Sequence, residues 1–188
     1  MPNYCEYSMR DQGKPEAVDE FVKIIQADYC YDNEGKCNVE RHLWRVFEAY
    51  VNDSWIHKGI QTVELAGYCA WSVYSCMCDG KWTYNADRPN GNGTTLRAES
   101  ERLHLAIEVY SSEPGCCFME HFVFVNGEEK ENECVDWNEY YTGDYDSVEE
   151  MNAECGTHFT QEEFESDEYI STGGMDWDFN DWTPYLIK

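Results

Sequence analysis

At 188 residues and 22.0 kDa, with 42% apolar residues, the chain is long enough to close one hydrophobic core and too short for two large domains. Acids outnumber bases 38 to 13, a formal charge of -25 at neutral pH, which excludes gripping nucleic acid through a broad basic face and disfavours an anionic membrane. Aromatics at 15%, with 7 Trp and 14 Tyr, set it apart from acidic disordered chains, which lack such groups to bury.

Residues 1–9 read as a short strand, closed by the punctuation Gly13-Lys-Pro15. Pro15 suits a first helical turn, where a missing N–H costs nothing, and Val18, Phe21, Val22 and Ile25 follow the spacing of one apolar helix face. After the loop Asp32-Asn-Glu-Gly35, Asn38 is predicted to cap a second helix, with Leu43, Val46, Phe47 and Tyr50 as its stripe and Asn52-Asp53 as its stop. Residues 62–77 read as one bent strand or two, with Gly67 marking a turn, a bulge or a close approach. Residues 87–93 read as a loop, after which Thr94 or Thr95 caps a helix running to about Leu103. Leu103, Leu105, Ile107 and Val109 then alternate with His104, Ala106, Glu108 and Tyr110, the period of a half-buried strand. A turn at Ser111-Ser-Glu-Pro-Gly115 leads into residues 118–125, apolar on both faces and so predicted near the middle of a sheet, antiparallel to 103–110. Asn126-Gly127 is a hairpin signal, with 129–135 returning antiparallel.

Residues 127–188 hold 19 acids against Lys130 and Lys188 alone. Ser147-Val-Glu-Glu150 and Thr160-Gln-Glu-Glu163 match the capping box, and Gly156 can end the first of these helices. Residues 173–184 interleave acids with aromatics. No stretch approaches the ~20 apolar residues of a membrane span, and residues 1–10 lack a basic-then-apolar signal pattern, so the expected location is the cytoplasm. In that reducing compartment the 10 cysteines are expected to be mostly reduced, buried thiols. Cys76, Cys78, Cys116, Cys117 and His121 could supply a metal only if two strands adjoined, and alternation would point Cys116 and Cys117 to opposite faces; no cofactor or metal is expected.

An enzyme should display a constellation for making a nucleophile, moving a proton or cradling phosphate, and the sequence has no Gly-x-Ser-x-Gly, no His-Glu-x-x-His and no Lys-bearing phosphate loop, so a non-enzyme is expected. Glu120-His121 are strand neighbours that face apart, and His121 reads as a histidine packed beside aromatics. The charge excess exceeds the ~2–8 that keeps a small domain in solution. Spaced carboxylates with protruding Tyr and Trp can imitate a nucleic acid and occupy an Arg- and Lys-rich channel. The candidate partner-binding residues are Glu149, Glu150, Glu162, Glu163, Asp176, Trp177, Asp178, Phe179, Asp181 and Trp182, with Tyr185 as a further anchor. The alternative for this tail is that its aromatics dock on the protein's own core. Residues 127–188 should steer a basic partner more strongly than the less acidic 1–50.

The opening Met1-Pro-Asn-Tyr-Cys5, with Met9, Gly13, Val18 and Phe21, resembles the start of phage and plasmid proteins carrying a YubB-type ferredoxin-like domain, closest to a form in Clostridia and their phages. Gly67-Tyr-Cys-Ala-Trp-Ser-Val73 and Glu108-Val-Tyr-Ser-Ser-Glu-Pro-Gly115, with Phe118, Glu120 and Asn126-Gly127, are similar to that family's tryptophan strand and final hairpin. The resemblance spans residues 1–137 and implies an α+β fold, a ferredoxin-like antiparallel sheet with helices on one face. It departs at an inserted helix over 38–50 and at an acidic extension, 138–188, expected to pack on the same domain. It carries no catalytic residue. A small acidic viral protein of this kind is expected to disable host defence: an anti-CRISPR inhibitor of a Cas9-type nuclease, acting as a nucleic-acid mimic on a basic nucleoprotein. The alternative is a non-enzymatic binding module of phage or plasmid housekeeping.

Overall fold

The computed structural model describes residues 3–78, 93–173 and 182–184. The chain forms two compact units, one of Met1–Cys134 with Trp177–Lys188 and one of Val135–Asp176. The fold is α+β, built on a seven-stranded antiparallel sheet in the order β2 (Val46–His57), β3 (Ile60–Ala70), β1 (Tyr4–Gly13), β4 (Ala106–Glu113), β5 (Phe118–Val125), β6 (Glu128–Tyr141), β7 (Tyr169–Gly173), larger than a four-stranded ferredoxin-like sheet.

In the first unit, β1 (Tyr4–Gly13) alternates strictly: Cys5, Tyr7, Met9 and Asp11 are buried while Glu6, Ser8 and Arg10 face the other way. Helix α1 (Pro15–Ile25) starts with Pro at its first turn and buries Val18, Phe21 and Ile25 of the stripe read from spacing, together with Ile24, while Val22 of that stripe is half-buried. It covers the odd-numbered face of β1. Strands β2 (Val46–His57) and β3 (Ile60–Ala70) pair antiparallel, and β3 pairs with β1 so that Tyr7 opposes Gly67 and Asp11 opposes Val63. Helix α2 (Leu96–Leu103) is capped by the Thr95 hydroxyl, which accepts from the Ala98 N–H. Strand β4 (Ala106–Glu113) lies on the far side of β1, and β5 (Phe118–Val125) pairs antiparallel with β4. The core joins the odd face of β1 to α1, to Leu96 and to Leu105, Ile107, Phe122 and Phe124. Glu99, fully buried, is held by Arg41 Nε at 2.8 Å and Arg102 at 2.6 Å, and Arg102 also reaches Glu20 of α1 at 2.7 Å.

Four expectations are corrected. The helix predicted over 38–50 is absent: residues 46–57 are edge strand β2, and Asn38 instead accepts from the Cys30 N–H at 2.6 Å within a loop. Leu43, Val46, Phe47 and Tyr50 fit a helical stripe by coincidence; pairing with β3 decides, and β-branched and aromatic residues through Ile56 favour it. The second correction is that β3 stops at Ala70 rather than Met77. Trp71 takes a positive φ of 65°, its N–H donates to Asn3 O, and a π-helical turn follows over Tyr74–Cys78. Buried Glu120 fixes that turn by accepting from Val73 N at 2.9 Å and Tyr74 N at 3.3 Å. Third, β4 is buried on both faces rather than one, and Leu103 ends α2 instead of starting the strand. Fourth, the turn after β4 is shorter than 111–115: Ser111, Ser112 and Glu113 stay in the strand, and Glu113 accepts from the Gly115 N–H.

The hairpin at Asn126-Gly127 is present, with φ of 49° and 81° at its two central residues, as a mirror-image turn requires. Strand β6 (Glu128–Tyr141) follows it, and in the second unit its residues 137–141 pair antiparallel with β7 (Tyr169–Gly173). Between them lie α3 (Val148–Cys155) and α4 (Gln161–Ser166). Ser147 caps α3, Gly156 ends it with φ 68°, and Thr160 with Glu163 forms a full capping box on α4, all at the positions read from the sequence. Val148 and Met151 are buried, and Tyr140 meets Phe159 edge-on at 5.8 Å. The predicted loop over 87–92 lies outside the described residues. Among the described residues, no helix is long and apolar enough to cross a membrane.

Candidate interaction surfaces

Helices cover one face of the first unit's sheet; the even-numbered residues of β1 line the opposite face. Register sets rows across three strands there: Glu6 (β1), Tyr68 (β3) and Glu48 (β2) stand side by side, then Ser8, Ala66 and Tyr50, then Arg10, Glu64 and Asp53. Arg10 pairs with Glu64 at 2.5 Å, and its guanidinium sits 4.8 Å from the ring of Trp182 and 5.8 Å from that of Trp55. Tyr110 stacks on His121 at 4.2 Å and meets Trp182 at 5.3 Å. Glu108, nearly fully buried, accepts from His121 Nε2 at 3.0 Å, from the Tyr110 hydroxyl at 3.1 Å and from the Thr183 N–H at 3.0 Å. Residues 182–184 thereby cover the β1–β4 end of this face, so that Trp182 takes the docked alternative read for the tail's aromatics. His121 is packed beside aromatics as expected.

At the β2 end the face is open. Tyr4, Phe47 and Tyr50 are exposed, Tyr4 to 58%. Two register shifts interrupt β2, one between Val46 and Glu48 and one between Val51 and Asp53, so Phe47 and Asn52 are extra residues of bulges. The first bulge swings Phe47 to the side of Tyr4, their rings 5.2 Å apart, with Tyr4 a further 6.4 Å from Tyr68. Gly67 permits it: a Cβ there would lie 1.9 Å from Glu48 O, and through the gap the Tyr7 hydroxyl donates to that carbonyl at 2.8 Å. Thus the close approach, among the three readings of Gly67, is the one realised. Tyr68 is harder to ionise than an ordinary tyrosine, chiefly because the Glu6 charge faces it, with Tyr50, burial and Glu48 adding. A groove of about 620 Å³ runs beside this end, between the end of α1 and β2, lined among others by Gln26, Tyr29, Arg45 and Tyr50.

In the second unit, Glu149 and Glu150 occupy the first turn of α3, Glu162 and Glu163 the first turn of α4, and all four are exposed. They differ in duty. Glu150 accepts from the Asp146 N–H at 2.9 Å, and Glu163 accepts from Thr160 N at 2.7 Å and its hydroxyl at 2.8 Å, which holds the Glu163 carboxyl below its ordinary range. Two of the four thus brace helix starts: Glu163 closes the capping box read from the sequence, whereas Glu150 reaches Asp146 rather than the Ser147 N–H that its predicted box required. Asp176, Trp177, Asp178, Phe179, Asp181 and Tyr185 lie outside the described residues, and Trp182 belongs to the first unit's sheet face.

The buried acids are tied into packing. Glu120 also accepts from the Ser111 hydroxyl at 2.6 Å, and burial still pushes its carboxyl up. Asp11 is fully enclosed, neither oxygen meeting a well-formed hydrogen bond among the described residues, and burial pushes its carboxyl well up against the weaker pull of the Gln12 N–H. Cys5, Cys69 and Cys76 are fully buried together, and hydrogen bonding with the Cys5 and Cys76 sulfurs, with burial adding, raises the Cys69 thiol well above its usual range. Among the described residues, no group of three or more His, Cys, Asp or Glu is arranged to hold a metal ion. Compared with models of protein families, with characterised proteins and with solved structures, the chain matches none.

Proposed function

We propose that this protein is a non-catalytic binder of a positively charged protein surface, and that its target is a bacterial immune nuclease of the Cas9 type whose nucleic-acid channel it occupies. The observation that carries the reading is the excess of 38 acids over 13 bases, with half of the acids and only two of the bases in residues 127–188 and with Glu149 and Glu162 exposed and free of capping duty. Carboxylates spaced along helix starts present fixed negative charge to an Arg- and Lys-rich groove and speed the encounter at low salt. Binding is favoured over catalysis because the enclosed titratable groups Glu99, Glu108 and Glu120 each serve a structural hydrogen-bond network. The chain order β1-α1-β2-β3-α2-β4 with spatial order β4-β1-β3-β2 supports a ferredoxin-like reading of this core, with β5, β6 and β7 added at one side. That reading accords with the YubB-type resemblance and with a phage or plasmid origin, acting in the host cytoplasm.

The test is inhibition of DNA cleavage by a purified Cas9-type effector loaded with guide RNA, across a salt series. Reversing Glu149, Glu154 and Glu162 to Lys should slow association and relieve inhibition far more than reversing Glu16, Glu34 and Glu40, all six being exposed. Equal effects of the two sets, or inhibition indifferent to salt, would overturn nucleic-acid mimicry and favour a housekeeping binding module.

A further inference from the structure

We propose that the open β2 end of the sheet face, formed by Tyr4, Glu6, Phe47, Glu48, Tyr50 and Tyr68, is a docking site for arginine side chains of an extended basic segment of a protein partner. The inference rests on the reading of a basic partner and adds where that partner is held and by which side chain.

Three observations converge on this chemistry. The rings of Tyr4, Phe47 and Tyr50 are exposed together at one end of a face whose other end carries Trp182, while the exposed Trp55 on the same face already has Arg10 5.8 Å from its ring. The Phe47 bulge and Gly67 build that patch: an ordinary ladder would point Phe47 and Glu48 to opposite faces, and here both border the Tyr4–Tyr68 cluster. Glu6 and Glu48 flank Tyr68 across the strands, and neither carboxylate has an ion-pair partner among the described residues.

This combination selects among occupants. An apolar partner would bury Glu6 and Glu48 without compensation. A nucleic acid could stack on the rings and would bring phosphates against both carboxylates. A guanidinium suits both components, lying flat on a ring while its N–H fork donates to a carboxylate; an ammonium is more strongly hydrated and stacks less well. The chain shows the same preference internally, with Arg45 over Trp71 at 4.4 Å and Arg10 over Trp182 at 4.8 Å. The groove along β2 continues the patch and gives an extended segment a path beside the edge strand.

The test uses the full chain and fluorescence anisotropy with three labelled probes: an alternating Arg-Gly peptide, its Lys-Gly counterpart and single-stranded oligouridylate. The wild-type protein should bind the Arg peptide about fivefold to tenfold more tightly than the Lys peptide, and Glu6→Gln with Glu48→Gln, or Phe47→Ser, should abolish that preference. The substituted positions are exposed, and a circular-dichroism melt matching wild type verifies each variant's fold. Equal affinity for the two peptides, undiminished by these substitutions while Glu149→Lys, Glu154→Lys and Glu162→Lys weaken both, would overturn the site and leave the basic-partner reading standing. Failure of both peptides to bind at low salt would overturn both. Tighter binding of oligouridylate, or a dimer in light scattering that Phe47→Ser dissolves, would assign the patch to nucleic acid or to a second copy and overturn the proposal.

Discussion

Replacing Asp11 by valine should make this protein more stable at neutral pH. Asp11 sits in a central strand, opposed by Val63 on β3 and Ile107 on β4, fully buried, with no well-formed hydrogen bond to either carboxylate oxygen among the described residues. An unsatisfied buried polar group costs about 1–3 kcal/mol, and valine fills similar volume, introduces no polar atom and suits a strand. For a chain of this length that gain corresponds to about 2–10 °C in Tm. The pH dependence gives a second, independent readout. Burial raises the folded-state pKa of Asp11, so the unfolded chain releases this proton near pH ~3.9 while the native state keeps it to higher pH. Between those values the unfolded state binds fewer protons, and stability falls as pH rises; Asp11's contribution is complete below the unfolded value and lost as pH climbs through the folded one. The advantage of Asp11→Val over wild type, measured by urea unfolding, should therefore grow from pH 4 upwards until Asp11 ionises in the native state. Asp11→Asn should remove that slope and gain less, since its amide also lacks partners. A valine variant that melts below wild type at neutral pH, or an advantage constant with pH, would refute the reasoning.

Gly67→Ala should be severely destabilising, on the order of 3 kcal/mol, because its Cβ would meet backbone at 1.9 Å; chemical denaturation reads this out, and a near-neutral result would refute the close approach. Tyr7→Phe should cost about 1 kcal/mol by leaving Glu48 O without its buried donor, checked as a shift in urea midpoint at unchanged m-value. Glu163→Gln should loosen α4, seen as faster amide exchange at its first turn; since the Glu163 pKa is lowered, the wild-type advantage holds above the ordinary carboxylate range and vanishes as pH falls through the lowered value. Alkylation of the denatured, unreduced protein should label most of its 10 cysteines by intact mass, and four or five bridges would refute a reducing compartment.

Local chemistry was enough wherever one residue type had a single low-energy use. Pro15 at a helix start, the Thr95, Ser147 and Thr160 caps, Gly156 at a helix end and Asn126-Gly127 between strands were all readable, because each satisfies backbone donors or dihedrals within a few residues of itself. The α+β class and the β4–β5 pairing followed from periodicity and a short connection. The identity of β2 did not follow: residues 43–50 satisfy a helical spacing and a strand composition equally, and only the pairing partner β3, whose Gly67 admits the bulge, breaks the tie. The open patch was illegible for the same reason, since Tyr4, Glu6, Phe47, Glu48 and Tyr68 come from three strands and a one-residue bulge decides which face two of them share. The acidic bias was plain in the sequence because charge adds up without regard to geometry. Which carboxylates are exposed and uncommitted, and which brace a helix or fill a core, depends on contacts between distant residues, and those exist only once the chain has folded.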